Sequence, residues 1–201
     1  MTTLLLLRHG ETTWNEQNRM QGWAPVGLTE RGHEQARRAG ELIAAEYDPD
    51  RLVSSDLLRA RETTAGVRAA VDVEPTFDPA WRERGLGDLQ GLTVEALFGG
   101  FPEYSLKRSG AAALTARPPN GESVLDVRER VLAAWETLLE GGGTVLVVTH
   151  GGPIAAVLGA VRGQDAVTGL LDNWADNGTL TEIAVESEPR VVRTVDPGAS
   201  R

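Results

Sequence analysis

The sequence predicts an α/β fold, a three-layer α/β/α sandwich built on a mostly parallel central sheet. Two apolar runs of strand length, Leu4 to Leu7 and Thr144 to Thr149, each lead into a histidine and a glycine, first at His9-Gly10 and again at His150-Gly151. The chain between them alternates short β-like runs with segments of helical periodicity. Strands alternating with helices bring parallel strands side by side with helices on both faces. In such sheets the carboxyl ends of the strands are where ligands bind.

The elements follow in order. Leu4 to Leu7 is a continuous apolar run, as a strand buried on both faces requires, and it opens into Arg8-His9-Gly10. A helix is expected from Thr29, its N-cap, with Ala36, Ala39, Ile43 and Tyr47 along one face. Leu52-Val53 reads as a strand running into Ser54-Ser55-Asp56, and a second helix carries Leu57, Ala60, Thr64 and Val67 at helical spacing. Val71 to Val73 is expected as another strand. The stretch 93–119 is less regular, with aromatics, glycines and prolines, and is expected to form a short cap over the site. Ser123, with Asp126 three residues on, starts the clearest helix, whose stripe is Val124, Val127, Val131, Trp135 and Leu138. Gly141 to Gly143 end it, and Thr144 to Thr149 is the second buried strand. Pro153 suits the first turn of a further helix. Leu180 to Val185 and Val191 to Val195 are late strands, and fraying is expected from about Asp196. No repeat or linker divides the chain, so 1–201 is read as a single domain.

Composition narrows the chemistry. The chain of 201 residues is 41% hydrophobic and 24% charged, as a soluble globular domain is. No apolar run approaches membrane-span length, and the N-terminus lacks the features of a signal peptide, so a cytoplasmic protein is expected. Cys is absent, which excludes disulfides, thiolate catalysis and cysteine-ligated metal. The 3 histidines have no metal-ligand spacing, and no metal is expected. A net charge of −9 disfavours nucleic acid and anionic membrane as partners. It also means that a phosphate site needs its own local cluster of positive charge. Lys107 is the only lysine, a bias that genome composition or life in high salt would each produce.

If the two buried strands are neighbours, His9 and His150 converge on one crevice. Backbone N–H groups after each histidine could then cradle an oxyanion, and Arg8 and Arg59 would add guanidinium contacts that match phosphate geometry. Each residue also has a plainer reading. Arg59, Arg61 and Arg68 fit a solvated helix face, Glu83 between two arginines fits a surface ion pair, and His33 sits in a polar helical stretch that points to solvent.

The joint pattern is more specific. Arg8-His9-Gly10-Glu11-Thr12, Trp14-Asn15, Gln21-Gly22 and Leu28-Thr29-Glu30-Arg31-Gly32 come first. Ser54-Ser55-Asp56-Leu57-Leu58-Arg59-Ala60, Glu83, Gln90-Gly91-Leu92, Pro119-Asn120-Gly121-Glu122-Ser123 and Val148-Thr149-His150-Gly151-Gly152 follow. From about Leu4 to Leu180 this order resembles the histidine phosphatase superfamily, also called the phosphoglycerate mutase-like family. The resemblance implies that Arg8, His9, Arg59 and His150 form a phosphate pocket, with His9 as nucleophile and Glu83 as proton donor. It implies that Asn15, Gln21, Gly22 and Gly151 line the phosphate site, and Arg84 is a further candidate for binding substrate.

Three activities fit this resemblance. One is a phosphomonoesterase that passes the phosphoryl group to water. A second is a phosphoglycerate mutase that depends on 2,3-bisphosphoglycerate. The third is a non-catalytic phosphate-binding module, which the full set of core residues disfavours. The mutase-like features are Glu83-Arg84, Leu89-Gln90-Gly91-Leu92, Trp14-Asn15 and Gly22-Trp23. Against them stand the short segment between Leu92 and Pro119, which offers only Lys107, Arg108 and Arg117 as cations, and the Gly151-Gly152 pair that phosphatases commonly carry. The expectation is therefore a phosphatase of a small phosphorylated metabolite that needs no cofactor, with 2,3-bisphosphoglycerate required only by a mutase. Its oligomeric state, a homodimer included, is left open.

Overall fold

The computed structural model describes residues 2–198. The strands are β1 (Thr2–Arg8), β2 (Arg51–Ser54), β3 (Pro75–Phe77), β4 (Gly143–Thr149), β5 (Leu180–Val185) and β6 (Pro189–Val195). The helices are α1 (Thr13–Glu16), α2 (Glu30–Glu46), α3 (Leu58–Arg68), α4 (Val94–Gly100), α5 (Leu106–Ser109), α6 (Ala112–Thr115), α7 (Val124–Glu140), α8 (Gly151–Val161) and α9 (Ala166–Asp172). The strands form one sheet in the order β3-β2-β4-β1-β5-β6. Pairing is parallel from β3 through β1, and antiparallel where β5 and β6 extend the sheet.

The apolar runs are continuous because both faces of the sheet are covered. Leu4, Leu6, Val145 and Val147 pack on Val131 and Trp135 of α7 and on Ile154 and Val157 of α8. Leu5, Leu7, Leu146 and Val148 pack on Ala39 and Ile43 of α2 and on Ala60 and Val67 of α3. These are the three layers read from the sequence. The register pairs Arg8 with Thr149, so His9 and His150 leave neighbouring strands side by side.

Local signals place the helix starts. The Thr29 side chain accepts from Gly32 N, and Ser123 and Asp126 form a reciprocal capping box. One expected strand is corrected. Val71 to Val73 is not a strand: the Val71 N–H closes the end of α3 on Val67 O, and Val71 is buried in the α2/α3 layer. Alternation in Val-Asp-Val fits a strand equally well, but the apolar side chain here plugs a helix end. The strand lies at Pro75–Phe77, on the sheet edge, where a proline without an N–H is tolerated. After β6, Gly198 N donates to Asp196 Oδ1 in a turn, and the fraying expected further on lies outside the described residues.

The loop after β1 is locked to α2 by backbone contact. A Cβ on Gly32 would lie 2.1 Å from Glu11 O, and one on Gly10 would lie 2.3 Å from Gly32 O. In an exposed helix, glycine to alanine gains about 1 kcal/mol from propensity. Here the sign should reverse. Gly32→Ala is expected to lose about 1–3 kcal/mol in urea unfolding, as overpacking does, and a neutral or stabilising result would contradict this close approach.

Candidate active site

Each parallel strand delivers one part of the site from its carboxyl end. His9 follows β1, and His150 follows β4 as the N-cap of α8. β2 leads through Ser55 to Arg59 in the first turn of α3, and β3 leads through the turn Pro79–Trp81 to Glu83. Arg8, His9, Arg59 and Glu83 line one cavity of about 550 Å³.

His9 is buried, and its Nδ1 lies 2.7 Å from Gly10 O. A carbonyl only accepts, so Nδ1 carries the proton and Nε2 keeps its lone pair. Burial, reinforced by Arg59 and Arg8, holds the His9 pKa well below the usual imidazole range. His150 is likewise buried and held neutral, again mainly by burial and then by Arg59, with His9 adding to it. The two rings sit 5.1 Å apart, centroid to centroid. Arg59 Nε donates to His150 Nδ1 at 3.2 Å, which leaves the His150 proton on Nε2, 2.8 Å from Ser55 Oγ.

The two arginines define the electrostatics. Arg59 is 1% exposed and Arg8 is 7% exposed, and among the described residues neither forms a salt bridge. Arg59 donates to Gly22 O at 2.8 Å and to Ala24 O at 3.4 Å, and burial lowers its pKa to about 10. Arg8 Nη1 donates to Ala175 O, while Arg8 Nε is buried without a partner. A buried, unpaired donor on a buried cation is costly unless an anion meets it. Glu83 is held by backbone donors, Oε1 accepting from Arg84 N at 2.8 Å and Oε2 from Gly152 N at 3.1 Å. It forms no ion pair among the described residues, so the surface-pair reading does not hold.

The remaining candidates divide. Asn15 and Gln21 line the cavity, and Gln21 Oε1 is buried without a partner. Gly22 lines it too, with φ of +51° and its carbonyl turned to Arg59. Arg84 also lines it, but its Nε and Nη2 donate to Glu122 O and Ala116 O at 2.8 and 2.9 Å. His150 and Gly151 are both buried and do not line the cavity; Gly151 packs on Trp174. The expected backbone cradle is narrowed. Gly10 N donates to Thr63 Oγ1, Glu11 N to Gln35 Oε1, Thr12 N to Asn15 Oδ1 and Gly152 N to Glu83, so side chains already take these donors. The arginines of α3 separate as well. Arg59 turns inward, while Arg61 lies over Phe77 and Arg68 pairs with Glu74, and His33 is exposed as expected.

Three supporting residues were not singled out from the sequence. Asn177 Nδ2 donates to His9 O at 3.0 Å and to Gly10 O at 3.3 Å, fixing the backbone that orients His9. Arg130 and Glu122 form a buried-edge ion pair at 2.9 Å, and Arg130 also donates to the carbonyls of Ala80, Arg82 and Glu83, which staples the Glu83 loop. Asp176-Asn177-Gly178 reads only as a turn, and Arg130 reads as the polar face of a helix. Glu122 alone had a signal, since it lies within the Asn120-Gly121-Glu122-Ser123 motif.

The depressed histidine pKa values have a consequence for stability. Histidines in the unfolded chain titrate near about 6.5. Below that pH, and above the lower folded pKa, the unfolded chain binds more protons, so stability falls as pH drops. Urea unfolding between about pH 7 and about pH 5 should show this loss, and His9→Gln, which cannot take up the proton, should lose less over the same interval. Equal losses would contradict a buried, neutral His9.

Comparison with known proteins gives the family. The model of the histidine phosphatase superfamily (branch 1) matches residues 4–196. The chain is 39% identical over 167 residues to 2,3-bisphosphoglycerate-dependent phosphoglycerate mutase 2 of Gloeobacter violaceus, covering 79% of this chain and 74% of that one. Among solved structures, Bacillus stearothermophilus YhfR superposes with a TM-score of 0.86 at 32% identity, covering 100% of this chain and 98% of that one. A mycobacterial glucosyl-3-phosphoglycerate phosphatase, in a complex with VO3, superposes with a TM-score of 0.80 at 30% identity over 96% of this chain and 98% of that one. The chain belongs to the histidine phosphatase superfamily.

Proposed function

We propose that this enzyme is a phosphomonoesterase that works through a phosphohistidine on His9. The observation that carries the reading is the pair of buried guanidiniums, Arg8 and Arg59, beside His9, neither in a salt bridge among the described residues and with Glu83 as the one carboxylate lining the same cavity. A phosphoryl dianion supplies the missing charge, and planar guanidinium donors match its oxygens. His9 Nε2 attacks phosphorus as the bond to the alcohol oxygen breaks, and Glu83 gives that oxygen a proton. Glu83 then takes a proton from water. The resulting hydroxide attacks the phosphohistidine, the P–N bond breaks, and inorganic phosphate leaves with His9 restored. Arg8 and Arg59 stabilise the oxygens of the transferring group in both steps. With both ring nitrogens engaged, His150 is a positioning residue that orients Arg59. Charge stabilisation falls to arginines in this scheme, and activity without a metal ion is part of the proposal.

A mutase is the second reading, favoured by the name of the Gloeobacter relative. Its bisphosphorylated intermediate needs further cations to hold a second phosphate and a carboxylate. The residues fit that need poorly. Arg84 is tied to two backbone carbonyls and Arg19 to Gly91 O, which leaves Lys107 and Arg128 as the outer cations of the cavity. The proposed phosphatase therefore does not depend on 2,3-bisphosphoglycerate.

The test is a panel of phosphomonoesters assayed for released phosphate, with conversion of 3-phosphoglycerate to 2-phosphoglycerate followed in parallel. Hydrolysis should dominate with or without added 2,3-bisphosphoglycerate. Arg8→Met should lower kcat/KM by about 10²–10³-fold, the loss seen when a transition-state oxyanion donor is removed. Fast isomerisation with trace hydrolysis would overturn the reading in favour of the mutase.

A further inference from the structure

We propose that the alcohol half of the substrate is apolar and bulky, an alkyl or aryl group and not a sugar or a glycerate. The inference rests on the phosphomonoesterase reading and gives it a substrate class. Beyond Arg8, His9, Arg59 and Glu83 much of the cavity wall is apolar, with Trp14 from α1, Leu97 and Phe98 from α4, Leu106 from α5, Val127 from α7 and Leu170 from α9. A volume of about 550 Å³ falls within the range of sites that enclose a whole organic ligand.

The rim makes a second, independent observation. Val94, Leu171 and Trp174 are 41%, 40% and 55% exposed, unusual for large apolar side chains, and all three line this same cavity. Trp174 also lies against the Arg8 guanidinium, 5.3 Å from the ring centroid, so the apolar surface reaches the edge of the phosphoryl site. An apolar group entering here removes its own surface and that of the rim from water together. A polyol would lose the water on its hydroxyls and find few partners in return, at a cost for each group left unpaired. The polar groups of the outer cavity are sparse. Arg19 and Arg84 are already bonded to backbone carbonyls, which leaves Asn15, Asn18, Gln21, Ser105, Lys107 and Arg128 among a largely hydrocarbon lining.

Straight-chain alkyl phosphates of increasing length separate this inference from leaving-group effects, because the alkoxide pKa hardly changes along the series. With purified enzyme, kcat/KM should rise about fourfold per methylene until the chain fills the cavity, the factor expected for burying one methylene. Glycerol phosphate, 3-phosphoglycerate and glucose 6-phosphate should fall below the alkyl phosphate of matching size. Phe98→Asn, a half-buried change on the cap, should flatten the dependence on chain length. A flat or falling series, with the polyol esters preferred, would overturn the apolar assignment while leaving the hydrolase reading intact. No phosphate release from any ester would overturn the hydrolase reading and this inference with it.

Discussion

Two guanidinium groups buried in one cavity, neither in a salt bridge among the described residues, are the constraint on which the site depends. Each buried ion costs several kcal/mol in desolvation after the protein has relaxed around it. The fold spreads that cost over neutral dipoles, with the carbonyls of Gly22 and Ala24 on Arg59 and that of Ala175 on Arg8. Glu83 and Asp176 act on these guanidiniums through space, but no carboxylate forms a salt bridge with either among the described residues. Elsewhere the same protein pairs its arginines freely, as at Arg82–Asp56 and Arg130–Glu122. The exception at Arg8 and Arg59 is therefore local, and it creates a positive pocket in a chain whose net charge is −9.

The histidines follow from that charge. Burial, with the positive neighbours Arg59 and Arg8 adding to it, keeps His9 neutral, and Gly10 O accepts from its one ring N–H, so the lone pair remains on Nε2. Asn177 holds the carbonyls of His9 and Gly10 in place, and the contact between Gly10 and Gly32 holds the loop against α2. The second histidine serves the arginine. It accepts from Arg59 Nε and donates to Ser55, which links the ends of β2 and β4 to the orientation of one guanidinium. Backbone N–H groups take no comparable part, since side chains bind those nearest His9.

Much of the sheet was legible because burial on both faces forces continuous apolar runs, and β1 and β4 are such runs. Capping at Thr29 and Ser123 placed two long helices within a residue, since each cap needs a specific side chain at a specific offset. Val71 to Val73 misled because a short apolar alternation does not distinguish a strand from a buried helix end. Arg59 sits one position off the apolar stripe of α3, where spacing alone sends a side chain to the boundary. Only the tertiary approach of Gly22 and His150 draws it inward. Asn177, Arg130 and the donors of Gly10, Glu11 and Gly152 were not legible, because each contact joins segments well apart in sequence.

The central claim is that this charged pocket hands a phosphoryl group to His9 Nε2. Rapid acid-free quenching of a single turnover with radiolabelled phosphomonoester, followed by peptide mapping, measures it directly. The account predicts label on His9 in a bond that is acid-labile and base-stable, as a phosphoramidate is. Label on Ser54, Ser55 or any other side chain, or turnover with no phosphoenzyme formed at all, would contradict it.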